Sequence, residues 1–174
     1  MESTDVLVIG SGIAGLCAAI EAARTGATVT VASAGKTMSG SSFFPGTWGL
    51  GLIGPVNEDD EQDLIDTILA VGGGVADPEL VQAFVHGIPQ AIDWLEQDLG
   101  VELQRPQSAK SAQQKQFIPC FDHKTRMWRG LTRKPLEDAL TTWIESLGIR
   151  LLPRHELIDL VENTNGRITG TVLY

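Results

Sequence analysis

Val6 to Ile9 is a run of four apolar residues that leads straight into a G-x-G-x-x-G turn, with glycines at 10, 12 and 15. An Ala-rich helical pattern follows from Leu16 to Thr25 and ends at Gly26. Ala27 to Ala32 (A-T-V-T-V-A) then reads as a second β-branched strand. The three pieces make a βαβ unit of roughly 30 residues, the length this fingerprint requires. In such a unit the first glycine allows the tight turn, the second lets backbone approach a pyrophosphate, and the third lets helix and strand pack closely. The open N–H groups at the helix N-terminus then face the phosphate oxygens. A continuous apolar run also suits a parallel strand buried on both faces, which is expected of Val6–Ile9. A glycine turn alone is weak in a chain with 19 glycines; the strand before it and the helix after it carry the reading.

One expected feature is missing. A dinucleotide site usually carries an Asp or Glu at the end of the second strand, where it binds a ribose hydroxyl. Here the chain reads V-T-V-A-S-A-G-K, with Ser33 at that place, Ala34 next and Lys36 nearby. Serine can bind a ribose hydroxyl more weakly. Serine with a neighbouring lysine also suits a 2′-phosphate, so an NADP-binding Rossmann module stays open at this point.

Size and composition narrow the class. The chain has 174 residues, enough for one domain with its own core. Its formal net charge of −9 argues against nucleic-acid binding, which needs clustered Lys and Arg. No stretch reaches the length of a membrane span. Cys17 and Cys120 are the two cysteines, too few and too far apart for a disulfide framework or a metal site. The acidic N-terminus does not read as a signal peptide, so a cytoplasmic setting is expected.

Beyond the βαβ unit, residues 34–57 mix Gly, Ser, Thr and Pro with Phe43, Phe44, Trp48, Leu50 and Leu52, without helical or strand period. A loop of this kind wraps a flat apolar ligand such as an isoalloxazine ring, or else covers the core. Glu58 to Val71 is acidic and then helical, closed by three glycines. Asp77 and Pro78 open a further helix. Gly87 and Pro89 are expected to break it, with a second helix continuing to Gly100. His86, near that break, reads as a surface or capping residue. Val101 to Leu103 is expected to form a short strand, followed by a polar exposed loop. Phe117 to Leu131 mixes apolar groups with His123, Arg126 and Arg129. It reads equally as a pocket for an anionic substrate or as a hairpin with a polar tip. Leu136 to Leu147 is an amphipathic helix, Ile149 to Leu152 a third parallel strand, and two last strands flank the Asn165-Gly166 turn signal. No linker marks a second domain.

Four segments, D-V-L-V-I-G-S-G-I-A-G-L-C-A-A-I-E-A-A, S-G-S-S-F-F-P-G-T-W-G, I-P-Q-A-I-D-W-L-E-Q-D-L-G-V and L-E-D-A-L-T-T-W-I-E-S-L-G-I-R-L-L, span nearly the whole chain. In this order and spacing the chain resembles the N-terminal part of the fumarate reductase, succinate dehydrogenase and L-aspartate oxidase flavoprotein family. The resemblance implies an α/β fold: a Rossmann-like FAD-binding domain with a parallel sheet, a helical insertion and a C-terminal β-hairpin. It implies FAD rather than a nicotinamide cofactor. It places the pyrophosphate on Gly10, Ser11, Gly12, Ile13, Ala14 and Gly15, the adenosine ribose by Ser33 and Ala34, and the flavin against Gly40, Ser41, Ser42 and Gly46. Ser33 in place of the usual acid looks like the L-aspartate oxidase branch. Some members attach FAD through a histidine in this loop; Ser41 stands at that position, which implies non-covalent binding.

The family usually has A-Q-G-G where this chain has Pro45 to Trp48, so Trp48 is a candidate to pack near the flavin. The implied reaction is hydride transfer between flavin and a small dicarboxylic substrate. Arg126 and Arg129 are candidates for substrate anion contact and His123 for proton transfer; no metal is implied, and an electron-transfer partner chain remains open. The family's capping domain and later flavin contacts have no counterpart here. The expectation is therefore an N-terminal piece of a longer enzyme, inactive alone, with a non-catalytic subunit or remnant fold as the alternative.

Overall fold

The computed structural model describes residues 3–44, 50–106 and 126–174. Gly46, Trp48, His123 and Cys120 lie outside the described residues. The chain divides into two compact units, Met1–Trp48 with Glu137–Tyr174, and Gly49–Leu136.

The first unit is built on the βαβ unit. Strand β1 (Val6–Ile9), helix α1 (Ile13–Arg24) and strand β2 (Val29–Ser33) follow one another, and β1 pairs parallel with β2 from Val6↔Val29 to Ile9↔Ala32. On its other edge β2 pairs parallel with β5 (Arg150–Pro153), giving the order β1-β2-β5. The helix packs Leu16, Ala19, Ile20 and Ala23 inward, and β2 buries Val29, Val31 and Ala32. The central strand is thus the buried one. Contrary to the two-faced burial expected of β1, its Ile9 is 47% exposed. Among the described residues β1 is an edge strand with β2 as its one neighbour.

Cys17 is half-buried in α1. Burial first, and then the nearby Glu21 carboxylate, push its thiol up to about 11. It is a packing residue at neutral pH, because the thiolate is the reactive form.

Antiparallel β6 (Leu157–Glu162) and β7 (Ile168–Leu173) close the unit as a hairpin. Its turn is held by Asn163, whose Oδ1 accepts from the Asn165 and Arg167 N–H groups, both at 3.0 Å. Gly166 adopts φ +73° there, so the Asn-Gly signal marked the right place, while the upstream asparagine ties the loop.

The second unit carries β3 (Leu50–Gly54), α2 (Glu58–Val71), α3 (Pro78–Asp93), a wide π-type turn at Trp94–Asp98 and β4 (Met127–Leu131). Leu64, Ile65, Val81 and Val85 of the two helices form its core. Three expectations change here. A strand, β3, lies inside the segment read as period-free. It pairs antiparallel with β4 from Leu50↔Leu131 to Gly54↔Met127, and Gly51 and Gly130 leave room for the Trp128 ring. Residues 101–103 form no strand: Val101 and Leu103 are buried, and the pairing falls on Gln104, bridged to Gly130. Finally, α3 runs unbroken through Gly87 and Pro89. Proline in a helix interior costs about 3 kcal/mol. Buried side chains stand before it, at Val81, Val85 and Ile88, and after it, at Leu95 in the π-type turn, and each contributes about 1.5–3 kcal/mol on burial. Packing outweighs the lost bond.

The α3 start is as read. The Asp77 carboxylate accepts from Glu79 N–H at 2.9 Å and Leu80 N–H at 3.3 Å, with Pro78 in the first turn. Asp77→Ala is expected to cost about 1 kcal/mol in urea unfolding, and an unchanged midpoint would remove the cap from the account. Helix α4 (Arg133–Ser146) leads from this unit into the first.

Candidate functional site

The β1–α1 turn is shaped by two glycines. Gly10 continues the ladder by donating to the Ala32 carbonyl at 2.7 Å, and then takes φ +106°, a conformation that side chains disfavour. A Cβ at Gly15 would collide with the Gly10 carbonyl oxygen and lie 3.4 Å from Val8 Cγ1. Gly15 thus sets how closely α1 sits on β1.

Gly12 caps α1 with extended backbone and no side-chain bond, and the first helical bond runs from Leu16 N–H to the Gly12 carbonyl at 3.0 Å. The first turn contains no acidic residue. The N–H groups of Ile13, Ala14 and Gly15 therefore have neither an intrahelical acceptor nor a competing carboxylate, and together they present partial positive charge. This end of α1 fits an anionic pyrophosphate and would reject a cation.

The loop after β2 returns to the same turn. Ser39 N–H donates to the Ser11 carbonyl at 3.2 Å, and a Cβ on Gly40, which has φ +93°, would stand 3.7 Å from Gly12 Cα. Ser41 to Phe43 then form a single tight turn that anchors Phe43 in the core, 3% exposed. The first unit thus brings together Gly10 to Gly15, Ser33, Ala34, Gly40, Ser41 and Ser42. Ala34 is exposed at the end of β2, while Ser33 is buried, its hydroxyl 3.4 Å from that of Ser39. Sequence reasoning passed over Ser39; its one signal was its place just before Gly40.

The arginines belong to the second unit. Arg126 is fully buried and its guanidinium forms ion pairs with Asp60 and with Asp63, the latter at 2.8 Å; Thr67 Oγ1 lies at 3.5 Å. It also borders an apolar cavity of about 350 Å³ with Leu52, Ile68 and Ile88 among its walls. The charge of Arg126 is balanced by two α2 carboxylates that the sequence reading did not connect with it. Arg129 differs. It is half-buried on β4, it donates from Nη1 to the Trp128 carbonyl at 3.0 Å, and its buried Nε has no hydrogen-bond partner among the described residues. Among the described residues no group of three or more His, Cys, Asp or Glu could hold a metal ion, and no helix is long and apolar enough to cross a membrane.

Comparison with known proteins agrees with this geometry. The FAD binding domain family matches residues 5–174. L-aspartate oxidase of Halobacterium salinarum is 35% identical over 182 residues, covering 98% of this chain and 32% of that protein. Among solved structures, a 3-ketosteroid-Δ4-(5α)-dehydrogenase from Rhodococcus jostii RHA1 superposes with a TM-score of 0.75 at 23% identity, over 98% of this chain and 42% of that one. A flavocytochrome c3 fumarate reductase gives 0.70 at 24%, over 99% of this chain and 30% of that one. These structural likenesses establish the Rossmann-like fold. The chain spans about a third of the length of these curated relatives. Family and cofactor together displace the nicotinamide alternative: the chain belongs to the FAD-binding domain family of flavoprotein oxidoreductases, and FAD is its cofactor.

Proposed function

We propose that this chain is the FAD-binding part of a longer flavin-dependent oxidoreductase of the fumarate reductase and L-aspartate oxidase type. Its substrate is a small dicarboxylic acid, its FAD is held without a covalent bond, and it turns over no substrate alone. The observation that carries the reading is the glycine-lined N-terminus of α1, closed on one side by the Ser39–Gly40 return of the loop. Bound FAD supplies hydride transfer to or from a substrate carbon, and the protein supplies orientation and electrostatics.

Backbone N–H groups of the Gly10–Gly15 turn would hold the pyrophosphate, the carboxyl end of β2 at Ser33 and Ala34 would border the ribose, and Gly40, Ser41 and Ser42 would approach the flavin. Ser41 has no ring nitrogen for covalent attachment. Of the two arginines, Arg129 is the one suited to a substrate carboxylate, since Arg126 already meets Asp60 and Asp63. An electron-transfer partner chain is compatible with this reading.

The purified chain incubated with FAD and desalted is expected to be yellow, and acid precipitation is expected to release all of the colour into the supernatant. A chain that stays colourless would remove FAD binding from this piece. Colour that stays with the precipitate would overturn the non-covalent assignment.

A further inference from the structure

Three serine hydroxyls meet beside the phosphate turn. Ser11 Oγ donates to the Lys36 carbonyl at 3.2 Å and lies 3.2 Å from Ser39 Oγ, which in turn lies 3.4 Å from Ser33 Oγ. Ser11 and Ser33 are 2% and 7% exposed, so water does not compete freely for these groups. Each hydroxyl has one proton. Because the Ser11 proton goes to the Lys36 carbonyl, Ser11 accepts from Ser39, and Ser39 accepts from Ser33. The chain of donors has one direction: Ser33 to Ser39 to Ser11 to the Lys36 carbonyl. Bonds aligned head to tail in this way strengthen one another.

That direction fixes what Ser33 can do. Its proton goes inward, which leaves its oxygen as an acceptor, the role a carboxylate has at this place toward a ribose hydroxyl. The neighbouring backbone is held from the other side too: His155 N–H donates to the Ser33 carbonyl at 2.9 Å and Arg154 N–H to the Gly35 carbonyl at 2.8 Å. The network therefore links the end of β2, the phosphate turn and the loop that ends in Gly40.

We infer that Ser39 is the positioning residue of the cofactor site, and that Ser33 supports it as the first donor of the chain. The network clamps residues 36–40 onto the phosphate turn, so that Gly40 is set against Gly12 before FAD arrives. This deepens the FAD reading of the same site and rests on it. A pre-set loop raises affinity by removing an ordering cost from the binding step.

The test uses Ser39→Ala, Ser39→Thr, Ser33→Ala and the Ser33→Ala/Ser39→Ala pair in the full chain. Amide hydrogen exchange without cofactor is the first arm. In Ser39→Ala, exchange over residues 36–42 is expected to quicken roughly tenfold, the scale of one or two hydrogen bonds, with protection of α1 and β2 unchanged. Ser39→Thr, which keeps the hydroxyl, restores it. Unchanged exchange in Ser39→Ala would overturn the clamp. The second arm is FAD titration by flavin fluorescence. Each single alanine variant is expected to weaken binding by up to about tenfold, with the pair no weaker than Ser39→Ala alone, as expected of residues in one network. Additive losses would overturn the role given to Ser33 in the network. If the unaltered chain takes up no FAD, the functional reading fails while the exchange arm still decides the clamp.

Discussion

Gly15→Ala is expected to abolish FAD binding and to lower stability by about 1–3 kcal/mol, the range for forcing extra volume into a packed site. The added methyl would collide with the Gly10 carbonyl, which the β1–β2 ladder holds in place through the Gly10 N–H bond to Ala32. Neither side can yield cheaply, because one is strand backbone and the other the first turn of α1. The start of the helix must move off β1, taking its N–H groups out of register. Gly12→Ala is the control. Gly12 has φ −72°, which alanine adopts freely, and its Cβ would stand 3.5 Å from the Ser39 carbonyl, an ordinary contact. That variant is expected to unfold in urea within about 0.5 kcal/mol of the parent. It would still lose FAD affinity by tenfold or more, since the methyl occupies the approach to the open N–H groups. Two glycines of one motif thus separate into a packing role and a ligand role. Equal stability of both variants would sink the division.

The βαβ unit, the α2 boundaries, the Asp77-Pro78 start and the final hairpin were legible because each is encoded within a few neighbouring residues. A strand running into glycines, a cap and its proline, or an Asn-Gly turn needs no distant partner. What stayed hidden depends on residues far apart in sequence. Strand β3 carries glycine at 51 and 54 and so lacks strand propensity; it is a strand because β4 pairs with it and because Trp128, Ile88 and Met127 fill the space the glycines leave. Pro89 reads as a helix breaker, yet α3 runs through it, between buried Ile88 on one side and buried Leu95 on the other. In the candidate site, Gly10, Gly12 and Gly15 could be given roles from spacing alone. The partners of Ser33 could not, since a hydroxyl at the end of β2 reads the same whether it faces ribose or Ser39.

Arg126 shows the same limit with a larger energetic consequence. Beside His123 and Arg129 in sequence it reads as a candidate for substrate contact; its side chain is fully buried and bonded to Asp60 and Asp63. Those carboxylates stand three residues apart on α2 and face the arginine together, so the pair of ion contacts ties Arg126, just before β4, to α2. Arg126→Ala is expected to lower stability by about 3 kcal/mol, the lower end for breaking a buried pair, because it leaves a void and removes the Arg126 charge from Asp60 and Asp63. The lower end applies because Asp63 is 42% exposed and water can hydrate it. For a domain of ordinary stability that is a large fraction of the total. Arg126→Met fills most of the volume and should lose less. Arg126→Met with Asp60→Asn and Asp63→Asn should recover further, since the charge facing position 126 is then removed on both sides. Urea unfolding of the three variants reads the order directly. An Arg126→Ala chain within about 0.5 kcal/mol of the parent would show that the cluster is not structural, and would return Arg126 to the substrate.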